Sequence, residues 1–112
     1  MRFGERLREL RKARGMTLRD LSAVVGVGFA YLSRIENGRL NYGDYPSEAL
    51  IARLAHGLDA DEDELLLLAE KIPERLRQRV FERPDVFLRI AALPNADIDR
   101  LLESFVECGT AD

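Results

Sequence analysis

The chain has 112 residues, a formal net charge of −3 and apolar residues at 46% of its positions. This length suits one compact domain with an appendage better than two full domains. A single cysteine, Cys108, and a single histidine, His56, cannot supply a disulfide framework, a tetrahedral zinc site or a Cys/His catalytic pair. No apolar run approaches the roughly 18 residues that cross a bilayer. We therefore expect a cytoplasmic protein that is not an enzyme and binds no metal or cofactor.

The charges are distributed unevenly along the chain. Residues 1–45 hold nine Lys/Arg against five Asp/Glu, whereas residues 46–112 hold eight against fifteen. A basic front half suits a phosphate-backbone partner, although a solvated charged helix produces the same count. Charge alone therefore leaves nucleic-acid binding open.

The first residues predict two short helices. Apolar residues recur with helical spacing over residues 3–14, the opposite face is rich in arginine, and Gly15 ends this helix. Thr17 and Asp20 have the spacing of a capping box, in which each side chain bonds the other residue's backbone amide. This pattern predicts that the second helix begins just after Thr17.

Two glycines then predict a tight turn between the second and third helices. Gly26 can adopt the left-handed conformation that closes a helix, and Gly28 can cap the next one. Val27 fills the corner between them, and Leu32 and Ile35 are expected to turn inward. Two helices joined by so short a turn form a helix-turn-helix.

The rest of the chain predicts further helices and no strand, so the expected fold is all-α. The Asn, Gly, Asp and Pro residues of segment 39–46 indicate a loop. Residues 72–112 are too few to bury a core of their own, yet they carry large apolar side chains. They are expected to pack against the first domain, a second copy or another protein. The residues expected to begin or end the remaining helices are Ser47, Gly57, Asp61, Pro73, Pro84 and Pro94.

Residues 3–70 resemble the DNA-binding domain of the lambda-repressor and Cro family, also called the XRE family. The resemblance is carried by LRELRKARGMTLRDLSAVVGVGFAYLSRIENG followed by SEALIARLAHGLDADEDELL. It implies a five-helix DNA-binding domain over residues 1–71, with a helical extension over residues 72–112 for dimerisation or partner binding. The implied function is a sequence-specific transcriptional regulator, more often a repressor, that binds double-stranded DNA as a homodimer.

The same resemblance places the third helix, Gly28 to Asn37, in the major groove. Arg34 is the strongest reading candidate because a guanidinium can bond guanine O6 and N7, whereas Phe29 is equally consistent with a core position. Glu36 is expected to form a structural ion pair with Arg11 of the first helix. The residues expected to read bases are Phe29, Ala30, Ser33 and Arg34. The residues expected to bind phosphates are Thr17, Arg19, Asn37, Arg39, Asn41 and Tyr42.

Two other functions stay open at this point. One is an antitoxin-like protein that binds a protein partner through its C-terminal helices and regulates its own operon. The other is an interaction module whose helix-turn-helix no longer binds DNA. Phe29 favours this last alternative, and so does Leu18, which stands where many family members carry Gln. Because true DNA binding weakens steeply with salt, a salt titration separates the module from the regulator.

Overall fold

Eight helices follow one another along the part of the chain that the structure describes. The computed structural model describes the backbone of residues 2–39 and 46–108, and the side chains up to Phe105 in the last helix. No strand occurs within these ranges, so the all-α prediction is confirmed. None of the helices found there is long and apolar enough to cross a membrane. The helices are α1 (Phe3–Ala13), α2 (Leu18–Val25), α3 (Phe29–Glu36), α4 (Glu48–Leu58), α5 (Glu62–Leu68), α6 (Glu74–Glu82), α7 (Pro84–Ala92) and α8 (Asn95–Cys108).

The helices fall into two compact units, Met1–Pro73 and Glu74–Asp112. The boundary lies two residues beyond the predicted one after Lys71. In the first unit, each of the five helices contributes buried apolar side chains to one core, including Leu32 and Ile35, which were predicted to turn inward. The largest fully buried side chains of the first unit are Leu7, Leu21, Val25, Leu32, Pro46, Ile51, Leu54, Leu58 and Leu65.

The predicted capping box is present at the start of α2. The Asp20 backbone amide donates to Thr17 Oγ1 at 3.0 Å, and the Thr17 amide donates to the Asp20 carboxylate at 2.8 Å. The hydrogen bond from the Thr17 backbone amide is the main cause that lowers the pKa of the Asp20 carboxyl, and a hydrogen bond from the Thr17 side chain lowers it further. Two of the amides that lack a partner within a helix are satisfied in this way, which fixes where α2 begins.

The turn between α2 and α3 has the predicted backbone geometry. Gly26 is left-handed, with φ of 76°, and Gly28 is the extended residue that precedes α3. The Ser22 hydroxyl donates to the Val27 carbonyl across this turn, an interaction that the glycine pattern does not indicate. Glycine geometry and this side-chain bond together set the angle between the two helices.

Two predicted helix boundaries are wrong. Helix α4 continues through Gly57 to Leu58, and Asp59 adopts the left-handed conformation that ends it. Gly57 serves a close approach, because a Cβ at that position would lie 2.8 Å from Cγ1 of Val24 in α2. Helix α6 begins at Glu74, so Pro73 precedes the helix instead of occupying its first position. A residue without an amide hydrogen is tolerated at either place, and the sequence does not distinguish them.

A glycine in α1 brings that helix against the end of α3. A Cβ on Gly4 would lie 2.2 Å from the Ile35 carbonyl oxygen and 3.0 Å from that of Glu36. No other residue fits there unless the backbones move apart. Gly4 therefore fixes α1 behind the C-terminal end of α3.

The second unit exposes most of its apolar side chains. No residue of α6 or α7 is buried. Phe81 is 72% exposed and Leu88 is 73% exposed, unusually high values for such large apolar side chains. We call the set Phe81, Leu88, Leu101, Leu102 and Phe105 the C-terminal apolar surface.

Candidate nucleic-acid interface

One edge of α3 faces away from the core of the first unit. Leu32 and Ile35 are buried, and their position fixes the rotation of the helix about its axis. Phe29 is 46% exposed, so it is not a core residue. The predicted base-reading residues follow this edge: Phe29, Ala30 and Arg34 are exposed, and Ser33 is half-buried.

Arg34 lies on this edge with its charge uncompensated by any described residue. Its guanidinium carbon is 5.8 Å from the ring centroid of Tyr31, one helical turn earlier. Tyr31 is half-buried and packs against the core. A guanidinium held against an aromatic ring keeps its N–H donors free, which is the arrangement that hydrogen bonding to a base edge requires.

Two predicted phosphate-binding residues lie at the start of α2. The Thr17 hydroxyl accepts a hydrogen bond from the Asp20 amide and also bonds the Asp20 carboxylate, so donating to a phosphate would require its proton to turn away from that carboxylate. The Arg19 guanidinium carbon lies 5.0 Å from the ring centroid of Phe29, the first residue of α3. The structure therefore brings Arg19 next to a predicted base-reading residue.

The other predicted phosphate-binding residues follow α3. Asn37 Nδ2 donates to the Ser33 carbonyl at 2.9 Å and to Ser33 Oγ at 3.3 Å. These bonds hold the amide against the end of α3, so binding a phosphate would require their release. Arg39 is exposed. The two remaining predicted residues, Asn41 and Tyr42, lie outside the described residues.

Glu36, the last residue of α3, is buried and paired with arginine. Arg11 Nε and Nη2 donate to its two carboxylate oxygens at 2.7 and 2.9 Å. The hydrogen bond to Glu36 raises the pKa of the Arg11 guanidinium, and Arg11 also donates to the Met16 carbonyl at 2.8 Å. Arg8 Nε lies 3.4 Å from the same carboxylate. The contact of Arg8 with Glu36 was not predicted from the sequence, although Arg8 lies three residues before Arg11 and on the same face of α1.

The arginines of α1 and Arg14, which follows it, are engaged within the first unit. Arg6 Nε donates to Glu64 of α5 at 2.6 Å, and Arg14 lies 3.7 Å from Asp59. With the two arginines at Glu36, four of the positive charges counted in the front half face carboxylates of the domain itself. The interface cations that form no ion pair with a described residue are Arg19, Arg34 and Arg39.

Arg53 of α4 adds a further exposed cation near the turn. Its Nη1 lies 3.8 Å from the place that a Cβ on Gly26 would occupy. Arg53 was not among the residues predicted from the sequence. The available signal was a lone arginine in the otherwise Leu/Ala-rich stretch of α4.

Comparison with known proteins yields a consistent set of relatives. The family model of a helix-turn-helix domain matches residues 2–68. The HTH-type transcriptional regulator RghRB of Bacillus subtilis is 38% identical over 79 residues, which cover 68% of this chain and 55% of RghRB. The HTH-type transcriptional repressor RghR of the same organism is 40% identical over 72 residues, which cover 64% of this chain and 51% of RghR.

A solved structure extends the likeness beyond the first unit. The clp gene regulator ClgR from Corynebacterium glutamicum is 30% identical, with a TM-score of 0.51, over 90% of this chain and 86% of that one. By contrast, the matched stretch spans about half the length of the two Bacillus relatives. The chain belongs to the lambda-repressor and Cro (XRE) family of helix-turn-helix proteins.

Proposed function

We propose that this chain is a sequence-specific regulator of transcription that inserts α3 into the major groove of double-stranded DNA and acts as a repressor. The observation that carries the proposal is the exposed edge of α3 ending in Arg34, an arginine whose donors no described carboxylate occupies. The relatives are named as transcriptional regulators, and RghR as a repressor, which supports the same assignment.

The roles follow from the chemistry of the edge. Arg34 donates two hydrogen bonds to guanine O6 and N7, and Ser33 bonds a neighbouring base. Phe29 and Ala30 contact thymine methyl groups. Thr17, at the start of α2, and Arg39, three residues after the end of α3, bind phosphates, which positions α3 without adding sequence information.

Salt dependence provides the direct test of this function. Fragments of genomic DNA that the purified protein retains are sequenced, and the affinity for the preferred site is then measured at several salt concentrations. The logarithm of the affinity should fall linearly with the logarithm of salt concentration, with a slope of about −0.9 for each phosphate contacted. Absent or salt-insensitive binding would contradict the proposal and favour an interaction module.

We further propose that the C-terminal apolar surface joins two copies of the chain. A single helix-turn-helix reads one half-site weakly, and a two-fold dimer places two α3 helices about 34 Å apart, one turn of DNA. The exposure of Phe81 and Leu88 supports this role, because apolar side chains of this size are rarely left in water when nothing covers them.

Leu88→Glu is expected to shift the protein from dimer to monomer, because it places a charge in the proposed interface. Leu67→Glu is the matched control: it makes the same change at an exposed leucine of α5, in the first unit, and should leave the dimer intact. Sedimentation equilibrium measures both. A monomeric wild-type protein would contradict the proposed dimer. The C-terminal apolar surface would then be expected to bind a different protein, as in the antitoxin-like alternative.

A further inference from the structure

Arg19 and Phe29 form a pair that the sequence does not indicate. Arg19 is the second residue of α2 and Phe29 the first of α3, ten positions apart, and the turn brings the guanidinium carbon to 5.0 Å from the ring centroid. The neighbouring carboxylate of Asp20 is bonded to the Thr17 amide. Arg19 has no ion pair among the described residues, so the aromatic ring is what holds its guanidinium in place.

This anchoring differs from that of an arginine in a salt bridge. A guanidinium attracted to the electrons of a ring keeps all five N–H donors for another partner. The Phe29 ring in turn remains 46% exposed, so part of it is free to make an apolar contact. The pair thus presents an apolar surface and a bidentate donor side by side at the N-terminal end of α3.

We infer that Arg19 and Phe29 act together as a reader of one dinucleotide, a thymine adjacent to a guanine on the same strand. The inference rests on the proposed function and changes the role of Arg19 from phosphate binding to base reading. Phe29 contacts the C5-methyl group, and Arg19 donates to guanine O6 and N7. The 5.0 Å separation suits groups that meet successive bases, which are spaced about 3.4 Å along the strand.

The chemistry predicts which DNA atoms matter. The pair recognises a C5-methyl group next to a guanine, and 5-methylcytosine carries that methyl group as thymine does. A site in which 5-methylcytosine replaces the thymine should therefore retain Phe29's contact, whereas unmodified cytosine should not. Comparing the two cytosines shows whether the methyl group or the rest of thymine is read.

The test uses single-atom changes in the preferred operator with the full-length protein. Deoxyuridine in place of the thymine removes only the methyl group, and 7-deazaguanine removes only N7. For the wild-type protein, we expect deoxyuridine in one half-site to weaken binding about three- to fivefold, the value of one buried methyl group. We expect 7-deazaguanine to weaken binding several-fold.

Protein variants then assign each effect to its residue. Arg19→Ala should abolish the effect of 7-deazaguanine and reduce discrimination of that base pair by about 5- to 150-fold. Arg19→Lys should behave the same way, because lysine keeps the charge but loses the planar fork. Phe29→Leu should keep the sensitivity to deoxyuridine while weakening that to 7-deazaguanine, because leucine contacts the methyl group but cannot anchor the guanidinium.

Two outcomes would overturn the inference. If Arg19→Ala weakens specific and random DNA equally and Arg19→Lys restores both, Arg19 binds a phosphate and the proposed function still stands. If the wild-type protein shows no sequence preference at all, the proposed function fails and the inference fails with it.

Discussion

Replacing Glu36 with glutamine is expected to lower the free energy of unfolding by about 3–5 kcal/mol. The Glu36 side chain is only 1% exposed and accepts two hydrogen bonds from Arg11, which is itself 10% exposed. Without the carboxylate charge, the guanidinium stays buried with no counter-ion, and this uncompensated charge sets the size of the loss. Urea denaturation followed by circular dichroism measures the effect.

Two further variants separate the buried charge from a general effect of substitution. Glu48→Gln makes the same chemical change at an exposed position of α4 and should stay within about 0.5 kcal/mol of wild type. The double variant Arg11→Met/Glu36→Leu should recover most of the loss, because apolar side chains of similar volume often replace a buried ion pair without cost. Equal stabilities of Glu36→Gln and Glu48→Gln would show that the pair does not hold the domain together.

The Arg11–Glu36 pair also explains how a carboxylate is accommodated on a helix proposed to enter DNA. Its charge is neutralised by α1 at the C-terminal end of α3, where Gly4 already brings the two helices into contact. That end of α3 is fixed to the domain, and the N-terminal edge starting at Phe29 stays exposed. The C-terminal end of α3 thus holds the helix in the domain, and its N-terminal end remains accessible to DNA.

Features set by local backbone geometry could be predicted from the sequence. The cap at Thr17 and the turn at Gly26 and Gly28 depend on residues at most three positions apart. Gly4 and Gly57 could not be predicted in the same way. By local propensity alone, a glycine inside a helix destabilises that helix by about 1 kcal/mol relative to alanine. The reason for these two glycines becomes visible only when the neighbouring helix is in place.

The candidate site was predictable to the same extent. Leu32 and Ile35 fix the rotation of α3, so the residues on its outer edge follow from helical periodicity. Which arginines form ion pairs within the domain could not be predicted from the sequence. A count of charges does not show that Arg6 contacts Glu64, 58 positions away. The contact between Arg19 and Phe29 depends on the angle of the turn, which no spacing rule supplies.

Replacing Arg34 with alanine is expected to weaken binding to the preferred operator by about 1–3 kcal/mol per half-site. The reason is the loss of two hydrogen bonds from one guanidinium to guanine O6 and N7. In the proposed dimer, both half-sites lose them, so the total reaches about 2–6 kcal/mol. The preference at one base pair of each half-site should relax at the same time. Fluorescence anisotropy with operators altered at each position in turn measures both effects.

Arg39→Ala is the control for the loss of a positive charge without the loss of a base contact. It should weaken operator and random DNA by the same factor and reduce the salt slope by about one phosphate per half-site. Arg34→Lys isolates the geometry, because lysine retains the charge and its salt dependence but cannot make the bidentate contact. If Arg34→Ala and Arg39→Ala had identical effects on operator and random DNA, Arg34 would be a phosphate ligand. Base reading would then have to come from the rest of the α3 edge.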